Sequence, residues 1–308
     1  MIDLTVIVVA YNTCVLTLQA VAAARKATAE LDARVIVADN GSDGTAEAVR
    51  DAAPDVTVLV NADNPGYGTA VNRAAATQRS AHICAMNADV LLEPESLVTL
   101  RRFLDANRDC AAAGPALAYP DGTPQASAKR FPTLGLALGE VTGLHALAPR
   151  NRWVRRFYYE DRDLGREQRV DAVSGAVMML RADAFDAIGR FDEGFRMYFE
   201  ETDLCRRLRD HGHAIAFCPS AHAIHQHGAS TRQTSVRQVD YYLSYVRYFG
   251  KHHGRGAAAI LRAVVAASAL ARMAALVVKY PPVDPRRAAS LREKEAACAR
   301  LLRSLGGS

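Results

Sequence analysis

No CxxC pair links the six cysteines, Cys14, Cys84, Cys110, Cys205, Cys218 and Cys298. That scatter argues against both a structural zinc site and a small disulfide framework, and reduced, mostly buried thiols are expected. No GxxxxGK[ST] string occurs, so a P-loop NTPase is excluded, and Gly66-Tyr67-Gly68 is followed by Val71 where the dinucleotide fingerprint needs glycine or alanine. Helix-turn-helix, zinc-finger and interleaved aromatic RNA-binding patterns are absent, so nucleic acid is not an expected partner. The apolar stretch 257–280 is interrupted by Arg262 and Arg272, which disfavours a bilayer-spanning helix. Residues 1–5 hold one acidic and no basic side chain, unlike a signal or transit peptide, so a cytoplasmic location is expected.

What remains is ordinary in bulk: 308 residues, 50% hydrophobic and 23% charged, enough for one large soluble domain or two small ones. The net charge of +5 is unevenly spread. From Arg232 onward there are 14 Lys and Arg against 4 Asp and Glu, whereas residues 1–231 carry 24 against 29. The basic tail predicts an anionic surface or a phosphate-bearing substrate as partner.

Apolar β-rich runs at 4–9, 34–38, 56–60 and 82–86 alternate with helical patterns at 16–29, 45–52 and 69–78. A βαβαβαβ series predicts an α/β fold: a mainly parallel sheet, helices on both faces, and ligands at the carboxyl ends of the strands. The loops there are Ala10-Tyr11-Asn12, 39–45 (DNGSDGT), 64–72 (NPGYGTAVN) and Asn87-Ala88-Asp89. Such residues also make plain tight turns, but four in succession at one sheet edge point to a binding crevice.

Residues 114–169 read as a mobile basic loop containing Lys129-Arg130-Phe131-Pro132 and Arg150, Arg152, Arg155 and Arg156. A buried strand is expected over 170–181 and another over 215–218. Helices follow at 236–252, 257–280 and 287–305, the last after a proline-rich break at 281–285. The middle helix either lies on a membrane surface or packs on its own domain.

Residues 197–207 (MYFEETDLCRR) place three carboxylates in four positions beside aromatic side chains. Like charges so close raise one another's pKa, which suits a proton acceptor, although acidic residues also open ordinary helices.

Eight motifs in order, VIVVAYN (6–12), DNGSDGT (39–45), NPGYGTAVN (64–72), NAD (87–89), SGAVMMLR (174–181), GRFDE (189–193), the acidic segment, and His225-Gln226-His227-Gly228 leading to Ser230, resemble the family 2 glycosyltransferases of the GT-A, Rossmann-like fold. Within that family the chain is most similar to bacterial rhamnosyltransferases acting on lipid-linked or cell-wall glycans. The resemblance spans about residues 3–250. It implies base and ribose contacts at Ala10, Tyr11, Asn12 and Asp39, and nucleotide contacts around Asn64, Gly66, Tyr67, Gly68 and Asn87. Asp89 matches the last Asp of a DxD-like element that reaches Mg²⁺ or Mn²⁺, with Asn87 replacing the first acidic residue. His225 is similar in position to a histidine that some relatives use as a further ligand; a structural role is the alternative. Acceptor contacts are implied at Asp171, Ser174, Gly175 and Ala176, and a diphosphate contact at Arg232. The acidic segment resembles the family's Glu-Asp motif, with Glu201 at the catalytic-base position, Glu200 beside it, and Glu200 or Asp203 as alternatives; a helix-surface ion pair with Arg206 or Arg207 is the other reading of Asp203. Glu for Asp extends the side chain by about 1.5 Å.

The expectation is an inverting, metal-dependent transferase of residues 1–231 (nucleotide half about 1–113, acceptor half about 114–231), followed by a basic helical region at 232–308. It takes a dTDP- or UDP-sugar, foremost dTDP-rhamnose, and a glycan or polyprenyl-diphosphate-linked acceptor, at the inner face of the cell membrane. Contact with the anionic surface is peripheral, and a homodimer is an allowed assembly. Other donors are UDP-GlcNAc, UDP-Gal or UDP-Glc. The rivals are a silent nucleotide-sugar or glycan-binding module and a sugar nucleotidyltransferase, the latter opposed by Ala10-Tyr11-Asn12 where a glycine-rich basic loop is needed.

Overall fold

Residues 4–8 are buried without interruption in the first strand, the signature of a parallel strand covered on both faces. The computed structural model describes residues 2–147, 151–226, 234–279 and 285–306. Its first third runs β1 (Ile2–Ala10), α1 (Cys14–Ala27), β2 (Ala33–Asp39), α2 (Thr45–Ala52), β3 (Thr57–Val60), α3 (Tyr67–Thr77) and β4 (Ser80–Asn87). β1 pairs in parallel with both β2 and β4, and β2 with β3. The order 3-2-1-4 reverses direction at β1, which opens a crevice beyond the carboxyl ends of β1 and β4.

The chain continues through β5 (Val90–Leu92), α4 (Ser96–Ala106), β6 (Cys110–Ala118), β7 (Pro124–Gln125) and β8 (Ala128–Lys129). After α5 (Leu134–Val141), α6 (Leu144–Leu147) and α7 (Arg152–Phe157) come β9 (Gln168–Val170), β10 (Ala172–Val173), β11 (Val177–Arg181), α8 (Ala182–Ala187), α9 (Glu200–Asp210) and β12 (Ala214–His225). The full order is β3-β2-β1-β4-β11-β6-β12-β5, with β7 on β6 and β9 on β12, while β8 and β10 form a separate ribbon. β11 is antiparallel to β4 and β6, and β12 is parallel to β6. Side chains alternate between two cores. Val6 and Val8 meet α1, α2 and α4 on one face; Ile7 meets α3, α8 and α9 on the other. All six cysteines are free; four are buried and Cys14 and Cys298 are partly so.

Two expectations need correction, and one strand is an addition. The run at 170–181 is not one strand: Asp171 separates β9 from β10, and Ser174-Gly175-Ala176 turns the chain into β11. Residues 114–169 are not a continuous loop, since they hold the end of β6, then β7, β8 and three helices. β6 itself (CAAAGPALA) escaped notice because alanine, glycine and proline are poor strand formers. It is held by its neighbours, and β12 shifts register between Cys218 and His222, beside Pro115, which has no N–H to donate.

Residues 1–131, 156–196 and 200–230 form one compact unit, and 132–155, 197–199 and 231–308 a second. The segments 132–155 and 197–199 thus group with helices α10 (Thr234–His252), α11 (Gly254–Lys279) and α12 (Pro285–Gly306), which pack pairwise. The causes are specific: Arg272 donates to Val141 O and to Tyr242 Oη (both 3.1 Å), and Phe199 stacks on Tyr245 with centroids 4.4 Å apart. The three C-terminal helices lie close to the expected limits, with Gly254 at φ 87° breaking α10 from α11. Gly254–Ala275 of α11 is long and apolar enough to cross a membrane by length and composition (22 residues, mean hydropathy 1.6). Its outward face is apolar, with Ile260 50% and Leu270 55% exposed.

Candidate active site

Register alone gathers the crevice loops. Ala10 lies opposite Asp39, Asp39 opposite Val60, and Val9 opposite Asn87, so the four loops leave the sheet at one level. Backbone bonds fasten each departure: Asn40 N to Ala10 O (2.9 Å), Asn61 N to Asp39 O (2.7 Å) and Ala88 N to Val9 O (3.2 Å).

Asp39 is buried and its Oδ1 accepts from Gly41 N at 2.9 Å. Burial raises its pKa, and the Gly41 bond only partly offsets this. Gly41 has no tolerable substitute, because a Cβ there would sit 2.6 Å from Asn12 N. The Asn12 side chain, on a residue at φ 51°, accepts from Ser42 N at 2.9 Å and so ties loop 10–12 to loop 39–45. Ala10 is buried and Tyr11 is 41% exposed at the crevice rim.

Asn64 and Gly66 both adopt positive φ (42° and 96°), and a Cβ on Gly66 would lie 2.1 Å from Arg196 O. A Cβ on Gly68 would likewise crowd Phe191, 2.9 Å from its Cβ. Asn40 supports this loop by donating to Gly66 O (3.3 Å) while accepting from Asn61 (2.9 Å). Tyr67 buries its ring edge-on to Phe191 and donates its hydroxyl to Gly175 O at 2.9 Å. Burial pushes that phenol well above its ordinary pKa.

Antiparallel β11 brings the turn 174–176 to the same edge. Ser174 N donates to Ser127 O (2.9 Å), Ser174 Oγ accepts from Ala176 N (3.2 Å), and Asn87 N donates to Ala176 O (3.0 Å). Asp171 is committed elsewhere: Oδ2 accepts from Phe131 N at 3.0 Å, and Oδ1 is paired with Arg209.

Asp89 and His225 meet because β12 pairs antiparallel with β5, His225 opposite Val90. Asp89 Oδ1 lies 3.3 Å from His225 Nε2, both residues are buried, and His225 Nδ1 is 2.8 Å from Gln125 Oε1. A buried carboxylate beside an imidazole is a donor pair that suits a divalent cation whose remaining positions are filled by phosphate or water oxygens. Among the described residues no group of three His, Cys, Asp or Glu side chains forms a fuller cage. Arg232, His227 and Ser230 lie outside the described residues.

The acidic segment opens α9, and its carboxylates differ sharply. Glu201 Oε1 accepts from Lys129 Nζ and from Thr202 Oγ1 (3.0 Å). Burial works against its charge, but the Lys129 ammonium outweighs it and holds the carboxyl below its usual range. Glu200 has no such partner. Burial first, then repulsion from Glu201, push it up to about 8, and among the described residues its Oε2 has no hydrogen-bond partner. The expected mutual rise therefore falls on Glu200 alone. Asp203 is fully buried and bound to Arg207 at 2.7 Å, which removes it as a proton acceptor. Gly175 makes room for the longer Glu201 chain, since a Cβ there would lie 3.3 Å from both Cβ and Cγ of Glu201.

Lys129 and Gln125 are absent from the sequence-derived site. The Lys-Arg-Phe-Pro run signalled only a basic loop, because nothing local ties residue 129 to residue 201.

A crevice at the switch point of a mainly parallel sheet is the architecture of the GT-A fold. The profile of "Glycosyltransferase like family 2" matches residues 3–240, and the chain belongs to that family as a glycosyltransferase. It is 34% identical over 213 residues to N-acetylglucosaminyl-diphospho-decaprenol L-rhamnosyltransferase of Mycobacterium tuberculosis, covering 64% of this chain and 67% of that one. Rhamnosyltransferase WbbL of Escherichia coli K12 is 26% identical over 150 residues, covering 47% of this chain and 52% of its own. In structure the chain is similar to the mannosyltransferase PcManGT of Pyrobaculum calidifontis, solved with GDP-Man and Mn²⁺, at TM-score 0.57 and 16% identity over 98% of this chain and 87% of that one. At that identity the likeness speaks for the fold.

Proposed function

We propose that this protein transfers L-rhamnose from dTDP-rhamnose, with inversion, to a hydroxyl of a polyprenyl-diphosphate-linked sugar during cell-envelope glycan synthesis. The observation that carries the chemistry is Glu201: a buried carboxylate, held charged by Lys129 and seated against Gly175 at the loop-lined edge. The donor and acceptor rest on the activities for which the mycobacterial and E. coli relatives are named. Glu201 takes the acceptor proton as the hydroxyl oxygen attacks the anomeric carbon from the face opposite the nucleoside diphosphate. Asp39 and the backbone of 10–12 and 64–68 hold the nucleotide, and the turn 174–176 meets the acceptor. Asp89 and His225 would hold Mg²⁺ or Mn²⁺, which supplies counter-charge for the diphosphate.

Residues 1–113 serve as the nucleotide half and 114–231 as the acceptor half. The basic C-terminal helices bring the enzyme to the inner membrane face, where α11 lays its apolar outward side. The test is transfer by purified protein from a panel of dTDP- and UDP-sugars to a polyprenyl-diphosphate acceptor. dTDP-rhamnose should be turned over best, and Glu201→Gln should keep donor binding while transfer falls about 10²- to 10⁴-fold. Turnover of a UDP-sugar alone would reassign the donor, and no turnover at all would leave a binding module.

A further inference from the structure

Within the transferase reading above, we infer that Lys129 is a positioning residue for the reaction: its ammonium fixes Oε1 of Glu201 and leaves Oε2 as the oxygen that meets the acceptor hydroxyl. The two carboxylate oxygens are not equivalent. Oε1 takes both Lys129 and Thr202, whereas among the described residues no side chain donates to Oε2. A carboxylate anchored by one oxygen cannot rotate to present either at random, so the lone pair used for proton transfer is set before substrate arrives.

The fold delivers Lys129 by a short ladder. β8 pairs with β10, Lys129 opposite Ala172, and α9 packs on β10. Its neighbours along the chain turn to other duties: Arg130 binds Asp161 and lies 4.2 Å from the centroid of the Tyr159 ring, and Phe131 N binds Asp171. Lys129 alone of this basic run is directed at the reaction carboxylate. Gly175 completes the arrangement from the opposite side by leaving space for the Glu201 stem. Together they account for a glutamate at a position where the resemblance leads one to expect aspartate, because the added reach is taken up by the clamp.

The other titratable groups near the pair are Glu200 and Cys205 on α9, Tyr67 on α3, and Tyr158, which faces Lys129. Burial puts the Cys205 thiol at about 12 and Tyr67 well above its usual value, so neither titrates near neutrality. Lys129 is held above its ordinary pKa by Glu201 despite burial, and it stays cationic wherever Glu201 is charged. Removing the cation should therefore be felt by Glu201 and Glu200 only.

Lys129→Met and Lys129→Arg in the full chain test this with the donor and acceptor that the wild type turns over. For Lys129→Met, kcat at neutral pH should fall about 10- to 100-fold. The donor KM should stay within about twofold, and the acid limb of the pH–rate profile should move up by about one to three pH units as Glu201 loses its cation. Lys129→Arg should restore most of kcat and return the limb. A raised donor KM with kcat intact would overturn the inference and make Lys129 a substrate ligand; so would a limb that does not move. Carbon-13 titration of the Glu201 carboxyl without substrate separates the two levels of the argument. If no donor is turned over by the wild type, the transferase reading fails, and the midpoint of Glu201, unmoved or raised in Lys129→Met, still decides whether the clamp exists.

Discussion

Oδ1 of Asp89 and Nε2 of His225 stand 3.3 Å apart, one just beyond β4 and the other at the last residue of β12. Two elements distant in sequence meet there only because β5 folds back on β12, so the pair is a product of topology rather than of local sequence. If they hold a divalent cation, chelator should stop transfer and Mg²⁺ or Mn²⁺ should restore it. Asp89→Asn should lower activity about a hundredfold, the scale of losing one preorganised charge-stabilising group. Full wild-type activity in excess chelator would sink the assignment.

Asp39 is expected to read the edge of the nucleobase, using the oxygen not taken by Gly41. Asp39→Ala should weaken dTDP or UDP binding by about 1–3 kcal/mol, the loss of a charged hydrogen bond. Calorimetry decides it: equal nucleotide affinity in the variant rules the contact out.

Glu200 carries a stability signature. Its folded pKa, about 8, exceeds that of an exposed carboxyl, so the folded state binds the extra proton between the two values. Stability associated with this group is complete below the unfolded pKa and is lost as pH rises through the folded value. Glu200→Gln should therefore gain on the wild type in urea denaturation as pH rises from about 4.5 to about 8. The opposite trend, or none, would mean that Glu200 is already charged in the fold.

On α11, Ile260 and Leu270 are exposed among alanines, and Lys251 at the end of α10 and Arg255 at the start of α11 are exposed as well. Changing both to Asp should release the protein from anionic vesicles, and salt should do the same to the wild type, each nearby cation contributing about 1 kcal/mol. If the double variant instead alters only the mass measured in solution, the face joins two copies of the chain.

Legibility from sequence followed the source of the stabilising forces. β1, β2 and β4 were readable because double-sided burial demands unbroken apolar runs, and the edge strand β3 from its β-branched residues. The last three helices were readable from composition and spacing. β6 was not, since its alanines owe their conformation to β11 and β12 on either side. The four crevice loops and the carboxylate cluster could be named from order and residue type. What separates Glu200 from Glu201 could not, because it depends on Lys129, which reaches the pair only through the β8–β10 ribbon. For Asp203 the sequence leaves a base and an ion pair with Arg206 or Arg207 both open, and the structure forms the Arg207 pair.

The turn between β10 and β11 is secured by Ser174 N, Gly175 O and Ala176 O, all of them backbone atoms. Its attachment to the neighbouring elements is therefore indifferent to most side chains placed there, Gly175 excepted. In evolutionary terms the rim of the crevice has a replaceable edge. If this turn meets the acceptor, as proposed above, substitutions at 174 and 176 can change what it meets without loosening the backbone bonds that hold it.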